Sequence, residues 1–246
     1  MSAALAAAVA AVTSVTVTVF SLLLGDRQQR RKEERVQRQD LNAKYLNPLR
    51  LHLVENHFRL SGTLERTDSV SGTAEAMLVI DDPAEVSEKD AAWFNGTGCA
   101  LISSTYLTAC LFAQLKKVRE DFPYLRLSAA DDTQLAALLL RVQRGFLIDH
   151  GVYYVTQPSI GESMWVRNDE RLLTYREFCE RLQDPSWRVW TDRLIKFHID
   201  TAHRDKRERT QRLLMALAQL SEFLDGCVGG GHSIESRGQA ESDDQA

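Results

Sequence analysis

Two glycines in the stretch FNGTGCALIS (residues 94–103) lie directly before a predicted helix whose first residues carry no charge. The backbone N–H groups at the start of a helix attract anions, and glycines allow a phosphate to approach the backbone closely. Gly96, Thr97 and Gly98 are therefore candidate anion-binding residues. The stretch lacks the GK[ST] of a P-loop and the third glycine of a dinucleotide fingerprint. An ordinary turn is the alternative interpretation.

A second group of polar side chains lies in IDHGVYY (148–154), at the end of a predicted helix. Asp149, His150, Tyr153 and Tyr154 combine a carboxylate, an imidazole and two phenols, which together form a candidate polar site. A histidine at the end of a helix also interacts favourably with the helix dipole. That interaction is a structural alternative to a functional site.

Other chemistry-bearing residues do not form a recognisable site. The acidic stretch VIDDPAEVSEKD (79–90) lacks the central glycine and final glutamate of a calcium loop. His52 and His57 are five residues apart, as are His198 and His203, so neither pair has the spacing of helical metal ligands. The four cysteines form no CxxC pair, and no serine or cysteine lies in a nucleophile elbow. The sequence thus predicts no catalytic residue, metal or cofactor, and it favours a non-enzyme.

The N-terminus predicts a membrane anchor, because residues 2–24 contain no ionisable side chain. At 1.5 Å per residue, a helix over this run spans about 34 Å, which is enough to cross a bilayer. Ala3, Ala7 and Ala11 have the small-xxx-small spacing that lets membrane helices approach each other, so a homodimer through the anchor is a further possibility.

Basic residues directly after the apolar run predict its orientation. A cleaved signal peptide carries its positive charge before the apolar region, whereas this chain carries it afterwards. Lys and Arg next to a membrane span stay on the cytoplasmic side. We therefore expect a single-pass protein with its N-terminus outside and its C-terminal domain in the cytoplasm. The basic collar, predicted to contact lipid headgroups, comprises Arg27, Arg30, Arg31, Lys32, Arg35 and Arg38.

The charges of the chain are distributed unevenly around a formal net charge of −4. Residues 26–66 hold ten Lys and Arg against six Asp and Glu, while residues 67–246 hold twenty against twenty-eight. A basic segment beneath a membrane followed by an acidic body fits contact with anionic lipid. An acidic body repels phosphates, so nucleic acid is not an expected partner.

Four segments follow from these patterns: an anchor (1–25), a charged helical stalk (26–46), a globular domain (47–226) and a disordered tail (227–246). The domain is expected to be mainly α-helical, with about six helices and a small β-hairpin. Its first helix begins at Asn47-Pro48, a favourable N-cap and first-turn pair. Residues 93–115 lack charge but contain many Asn, Gly, Ser and Thr residues, which favours a buried central helix over a second membrane span.

The second half of the domain carries more local signals. YYVTQ, PSIGE and SMWVR within residues 153–173 predict the hairpin. Thr174 and Glu177 have the spacing of a capping box. The next helix, capped by Ser186, is expected to bury a stripe of Trp187, Trp190, Leu194 and Phe197. The last helix spans roughly 205–225 and stops at Gly226.

These observations favour a membrane-anchored interaction or scaffold protein. Most charged and aromatic residues are accounted for as helix caps, as buried helix faces or as solvent-exposed helix faces, so few are left to form a catalytic site. Two partners are therefore expected: membrane lipid and a protein of unknown identity. The alternative is an enzyme or ligand-binding domain for a small anionic or lipid-derived molecule.

Overall fold

A computed structural model of the chain describes residues 40–64, 77–121, 129–166, 169–203 and 207–228, together with the single residues 29, 32 and 36. The chain divides into two compact units, residues 1–44 and residues 45–246. The predicted anchor and tail lie outside the described residues, apart from Cys227 and Val228. Among the described helices, none has the length and apolar character needed to cross a bilayer.

The mainly α-helical fold class is confirmed for the described residues. A π-helix at Asn42–Leu46 comes first, and two 3₁₀ turns follow at Pro83–Glu88 and Ile148–His150. The α-helices are α1 (Asn47–Leu64), α2 (Ala91–Asn95), α3 (Cys99–Glu120), α4 (Ala129–Leu147), α5 (Thr156–Ser163), α6 (Tyr175–Leu182), α7 (Pro185–Arg188), α8 (Asp192–Ala202) and α9 (Arg207–Val228).

Helix α3 lies at the centre of the domain, as predicted for the charge-free run, although residues 93–98 belong to the end of α2 and a turn. It packs against α1, α5 and α8. Its buried hydroxyls are satisfied within the helix, since Ser104 donates to the carbonyl of Ala100 (2.7 Å) and Thr105 to that of Leu101 (3.0 Å). These bonds allow a helix rich in Ser and Thr to be buried at low cost.

The predicted β-hairpin is wrong, because residues 156–163 form helix α5. Pro158 fits the first turn of a helix, where its missing N–H is not needed. Gly161 lets α5 approach α3 closely: a Cβ added there would lie 2.6 Å from the carbonyl carbon and oxygen of Phe112. Among the described residues, the only β-pairing is an isolated antiparallel bridge between Trp165 and Leu172.

Capping residues define the helices that follow. The capping box is confirmed, with the Thr174 hydroxyl accepting from the N–H of Glu177 and the carboxylate of Glu177 accepting from the N–H of Thr174. Asp184, rather than Ser186, caps α7, because its carboxylate accepts from the N–H of Ser186 at 2.9 Å. Gly226 does not stop the last helix, since α9 continues to Val228.

Candidate functional site

The turn at residues 96–98 joins α2 to α3, and its glycines serve packing. The N–H groups of Gly96 and Gly98 both donate to the carbonyl of Trp93, at 3.2 and 2.8 Å. A Cβ added at Gly98 would lie 2.5 Å from the Trp93 ring. Two of the amides that could face an anion are therefore bound within the turn. Anion binding at Gly96, Thr97 and Gly98 stays a prediction.

The basic collar lies almost entirely outside the described residues. Lys32, the one collar residue that the structure describes, is helical and exposed. Contact between the collar and lipid therefore stays a prediction.

The turn after α4 holds the candidate polar residues in an unusual backbone conformation. Asp149 has φ 54° and ψ 47°, and His150 has φ 63°, so two consecutive non-glycine residues are left-handed. Such residues are uncommon, and a strained backbone of this kind often occurs at functional sites. The chain then returns to the end of α4, because the N–H of Val152 donates to the carbonyl of Phe146 at 2.8 Å.

A group of exposed apolar side chains follows this turn. The guanidinium of Arg193 lies 5.6 Å from the centroid of the Tyr153 ring, and Arg193 follows Trp190 by three residues in the sequence. Exposed apolar area of this kind, with Tyr, Trp and Arg together, is typical of binding surfaces. We define the aromatic patch as five residues that are between 44% and 61% exposed, together with Arg193: Tyr153, Tyr154, Val155, Val189 and Trp190.

A polar site formed by Asp149, His150, Tyr153 and Tyr154 stays a prediction. Tyr153 and Tyr154 belong to the aromatic patch, whereas Asp149 and His150 form the turn before it. Trp190 was expected in the core but is exposed. The turn after α7 breaks the helical period, so Trp190 does not share the buried face of Leu194 and Phe197 in α8.

A buried polar network connects α1, α3 and α8. Thr108 Oγ1 lies 2.6 Å from Asn56 Oδ1 and 3.0 Å from the Ser104 carbonyl oxygen, and both of these atoms are acceptors. The hydroxyl therefore donates on that side, so the Nε2–H of His198 donates to it at 3.1 Å. Burial lowers the pKa of His198 to about 3, with further lowering by the charges of Arg209 and Arg59. His198 is thus a neutral structural group.

Arg209 in the first turn of α9 is the residue that sequence reasoning missed. Its side chain is 1% exposed, and its guanidinium lies 4.4 Å from the centroid of the Phe197 ring. None of its three side-chain nitrogens has a hydrogen-bond partner within the part of the chain that is described. Burial lowers the pKa of Arg209, while the carboxylates of Asp200 and Asp149 oppose that change.

A cavity of about 310 Å³ lies between α2 and α6, where its walls include Phe94, Tyr175 and Cys179. Burial raises the pKa of the Cys179 thiol to about 11, despite a hydrogen bond with Tyr175 that lowers it. Burial likewise raises the pKa of Cys110 to about 12. Thiols that stay protonated at neutral pH are poor nucleophiles, so neither is an activated catalytic group.

Comparisons with known proteins identify no relative: no protein-family model, curated protein or solved structure matches the chain. Within the described residues, no three His, Cys, Asp or Glu side chains are grouped so that they could hold a metal ion. The functional argument therefore depends on the surface and the buried charges alone.

Proposed function

We propose that this chain is a membrane-tethered interaction module and that the aromatic patch is its docking surface. The exposure of Tyr153, Tyr154 and Trp190 together is the observation that supports this function. Tyr, Trp and Arg are enriched among the residues that dominate binding energy at protein interfaces, because they combine a large contact area with polar groups.

The occupant of the patch is a protein segment that carries an apolar anchor side chain and a neighbouring carboxylate. Arg193 supports this choice, since its guanidinium stacks on Tyr153 but forms no ion pair with any described residue. The neighbouring cations Arg188 and Lys196 are already paired with Asp192 and Asp200, at 3.2 and 3.0 Å. Arg193 is thus the charge at this surface that a partner carboxylate can neutralise.

The membrane tether rests on the sequence of residues 1–38, with its charge-free run followed by the basic collar. In sealed membrane vesicles of known orientation, a C-terminal epitope should be digested by protease only from the cytoplasmic side. Replacing Arg27, Arg30, Arg31 and Lys32 by glutamine should mix the two orientations. Digestion of the wild-type epitope from the outside would contradict the orientation.

A displayed peptide library tests the docking surface directly. The full chain, held in nanodiscs of neutral phosphatidylcholine, is used to select random 16-residue peptides. We expect the enriched peptides to pair an aliphatic or aromatic anchor with Asp or Glu. Trp190→Ala should weaken their binding about tenfold or more, because truncating a central aromatic side chain removes most of its contact area. Arg193→Glu should replace the acidic preference by a basic one.

The matched control is Leu51→Ala with Phe58→Ala, which truncates two exposed apolar side chains on α1. This variant should leave peptide binding unchanged. If no peptide is enriched, or if the control weakens binding as much as Trp190→Ala does, the patch is not the docking surface.

A further inference from the structure

Hydrogen bonds at both ends of α6 join it to α2 and leave a cavity between the two helices. The phenol of Tyr175, the first residue of α6, donates to the carbonyl of Phe94 at 2.9 Å. The side-chain amide of Gln183, directly after α6, donates to the carbonyl of Lys89 at 3.3 Å. The cavity between these bonds measures about 310 Å³. Ligand pockets start at about 300 Å³, so this cavity fits a ligand smaller than a drug-sized molecule.

The inner wall of the cavity is apolar. Phe94 and Cys179 form it and are 2% and 8% exposed, while Ala91 adds a methyl group at the edge. The ring of Phe94 is held by the ring of Trp93, which packs against it edge to face with 5.3 Å between the centroids. Aromatic rings pack favourably on a phenyl ring and on sulfur. This wall therefore suits an aromatic ring.

The outer wall supplies hydrogen-bond acceptors from one face of α6. Glu180 and Gln183 both line the cavity and are three residues apart, so their side chains are neighbours on the helix surface. Because the amide nitrogen of Gln183 donates to a backbone carbonyl, its Oε1 remains as an acceptor. Glu180 is paired with Arg176 at 3.2 Å, but these side chains are 63% and 90% exposed. Such an exposed ion pair is weak, so the carboxylate can bind another cation.

The charges around the cavity also favour a cation. Hydrogen bonds from the hydroxyl and the N–H of Ser186 lower the pKa of Asp184, so this carboxylate next to Gln183 stays ionised. The lining residues and their immediate neighbours in the sequence carry four carboxylates, Asp90, Glu177, Glu180 and Asp184, against two guanidinium groups, Arg176 and Arg181. This excess of negative charge attracts a cationic ligand and repels an anion.

We propose that the cavity between α2 and α6 binds a small molecule that combines an aromatic ring with a protonated amine. The ring packs on Phe94 and Cys179, and the ammonium group donates to the Glu180 carboxylate and to Gln183 Oε1. An ammonium group has only donors, which matches a wall that offers acceptors. The site does not depend on the aromatic patch, so either proposal can fail without the other.

Three probes of matched size test the ligand class: benzylamine, benzyl alcohol and benzoate share a phenyl ring and are positive, neutral and negative at neutral pH. The full chain, held in nanodiscs of neutral phosphatidylcholine, is treated with a thiol-specific methanethiosulfonate reagent. Peptide mass spectrometry then follows each cysteine separately. Saturating benzylamine should slow the modification of Cys179 at least threefold, benzyl alcohol should slow it less and benzoate least. Cys99, which does not line the cavity, should keep its rate.

Two tryptophan variants locate the binding. Ala91→Trp should fill the cavity, so Cys179 should react slowly whether or not benzylamine is present. Ala92→Trp is the matched control, because it adds the same side chain at the next exposed position of α2, which does not line the cavity. This control should keep the wild-type response. Glu180→Gln keeps the shape of the wall but removes its charge, so it should abolish the preference for benzylamine over benzyl alcohol.

Several outcomes would overturn the proposal. Failure of all three probes to protect Cys179 would reject the site, and equal protection by benzylamine and benzoate would reject the amine. An undiminished response to benzylamine in Ala91→Trp would mean that the probe binds elsewhere. If Ala91→Trp fails to fold, the preference for benzylamine in Glu180→Gln still decides, since an unchanged preference contradicts the assigned ammonium contact.

Discussion

The core around α3 and the segment 148–155 differ in how their polar groups are satisfied and in how strained their backbone is. In the core, hydroxyls of α3 donate to carbonyls within the helix, and Thr108 connects Asn56 to His198. At the turn, two non-glycine residues adopt a conformation that glycine would take more easily, and exposed aromatic side chains follow.

The positions of glycine differ between the two regions in the same way. Glycine occurs where backbones must approach each other. Gly161 of α5 lies against the backbone of α3, and Gly151 lies beside the backbone of Phe146. Glycine is absent at positions 149 and 150, where it would relieve strain. Such a backbone conformation makes the turn a candidate functional region.

The largest expected effect concerns the packing of α5 on α3. Gly161→Ala places a methyl group against the backbone of Phe112, which cannot move without displacing the central helix. We expect the free energy of unfolding to fall by about 3 kcal/mol. Urea unfolding measures this change.

Gly62→Ala is the control, because a Cβ at this helical position meets no heavy atom within 4 Å. It should stabilise the chain by roughly 0.5–1 kcal/mol, since alanine favours a helix over glycine. A loss of stability at Gly62, or none at Gly161, would contradict the packing argument.

The second effect concerns the pH dependence of the core. His198 stays neutral in the folded state down to about pH 3, whereas in the unfolded chain a histidine binds a proton below about pH 6.5. The proton therefore stabilises the unfolded state as pH falls. His198 should contribute a loss of about 1.4 kcal/mol per pH unit below pH 6.5, or roughly 2 kcal/mol at pH 5.

Unfolding free energies of the wild type and His198→Gln between pH 7 and pH 5 measure this contribution. The substitution should flatten the profile, while His203→Gln, at an exposed histidine, should leave its slope unchanged. Parallel profiles for the wild type and His198→Gln would show that protonation of this histidine in the unfolded chain does not contribute to the pH dependence of stability.

The smallest effect has the opposite sign and concerns the turn. His150 is exposed and left-handed, so His150→Gly should relieve strain and raise the free energy of unfolding by roughly 0.5–1 kcal/mol. Thermal unfolding is a suitable measurement. A loss of stability would mean that the imidazole makes a contribution larger than the strain.

Local patterns made part of this fold predictable. The capping box at Thr174 and Glu177 depends on neighbouring residues alone and was predicted. The start of α1 at Asn47 was also predicted, but Asn47 is not an N-cap, because the π-helix at Asn42–Leu46 leads directly into α1. The core helix was also predictable, because a long charge-free run with many hydroxyls can be buried when each hydroxyl bonds to the preceding turn.

The rest depends on contacts between distant segments. The hairpin prediction failed because Gln157, Ile160 and Gly161 are buried in a helix, which overrides the β-propensity of the preceding residues. Arg209 has the sequence context of an ordinary charged helix start, and its burial depends on the packing of α9 against α1 and α4 and on the Phe197 ring of α8. Tyr153 and Tyr154 were identified as functional candidates, but no local pattern showed that Trp190 is exposed.

The central position of α3 has a consequence for synthesis on the ribosome. Helix α1, which precedes α3, covers part of its surface, but α5 and α8, which cover the rest, are made later. About eighty residues separate the end of α3 from the end of α8, which corresponds to roughly 4–16 s of translation. During that interval an apolar helix lacks two of the three neighbours named above, so its uncovered surface makes the nascent chain prone to aggregation until α8 has emerged.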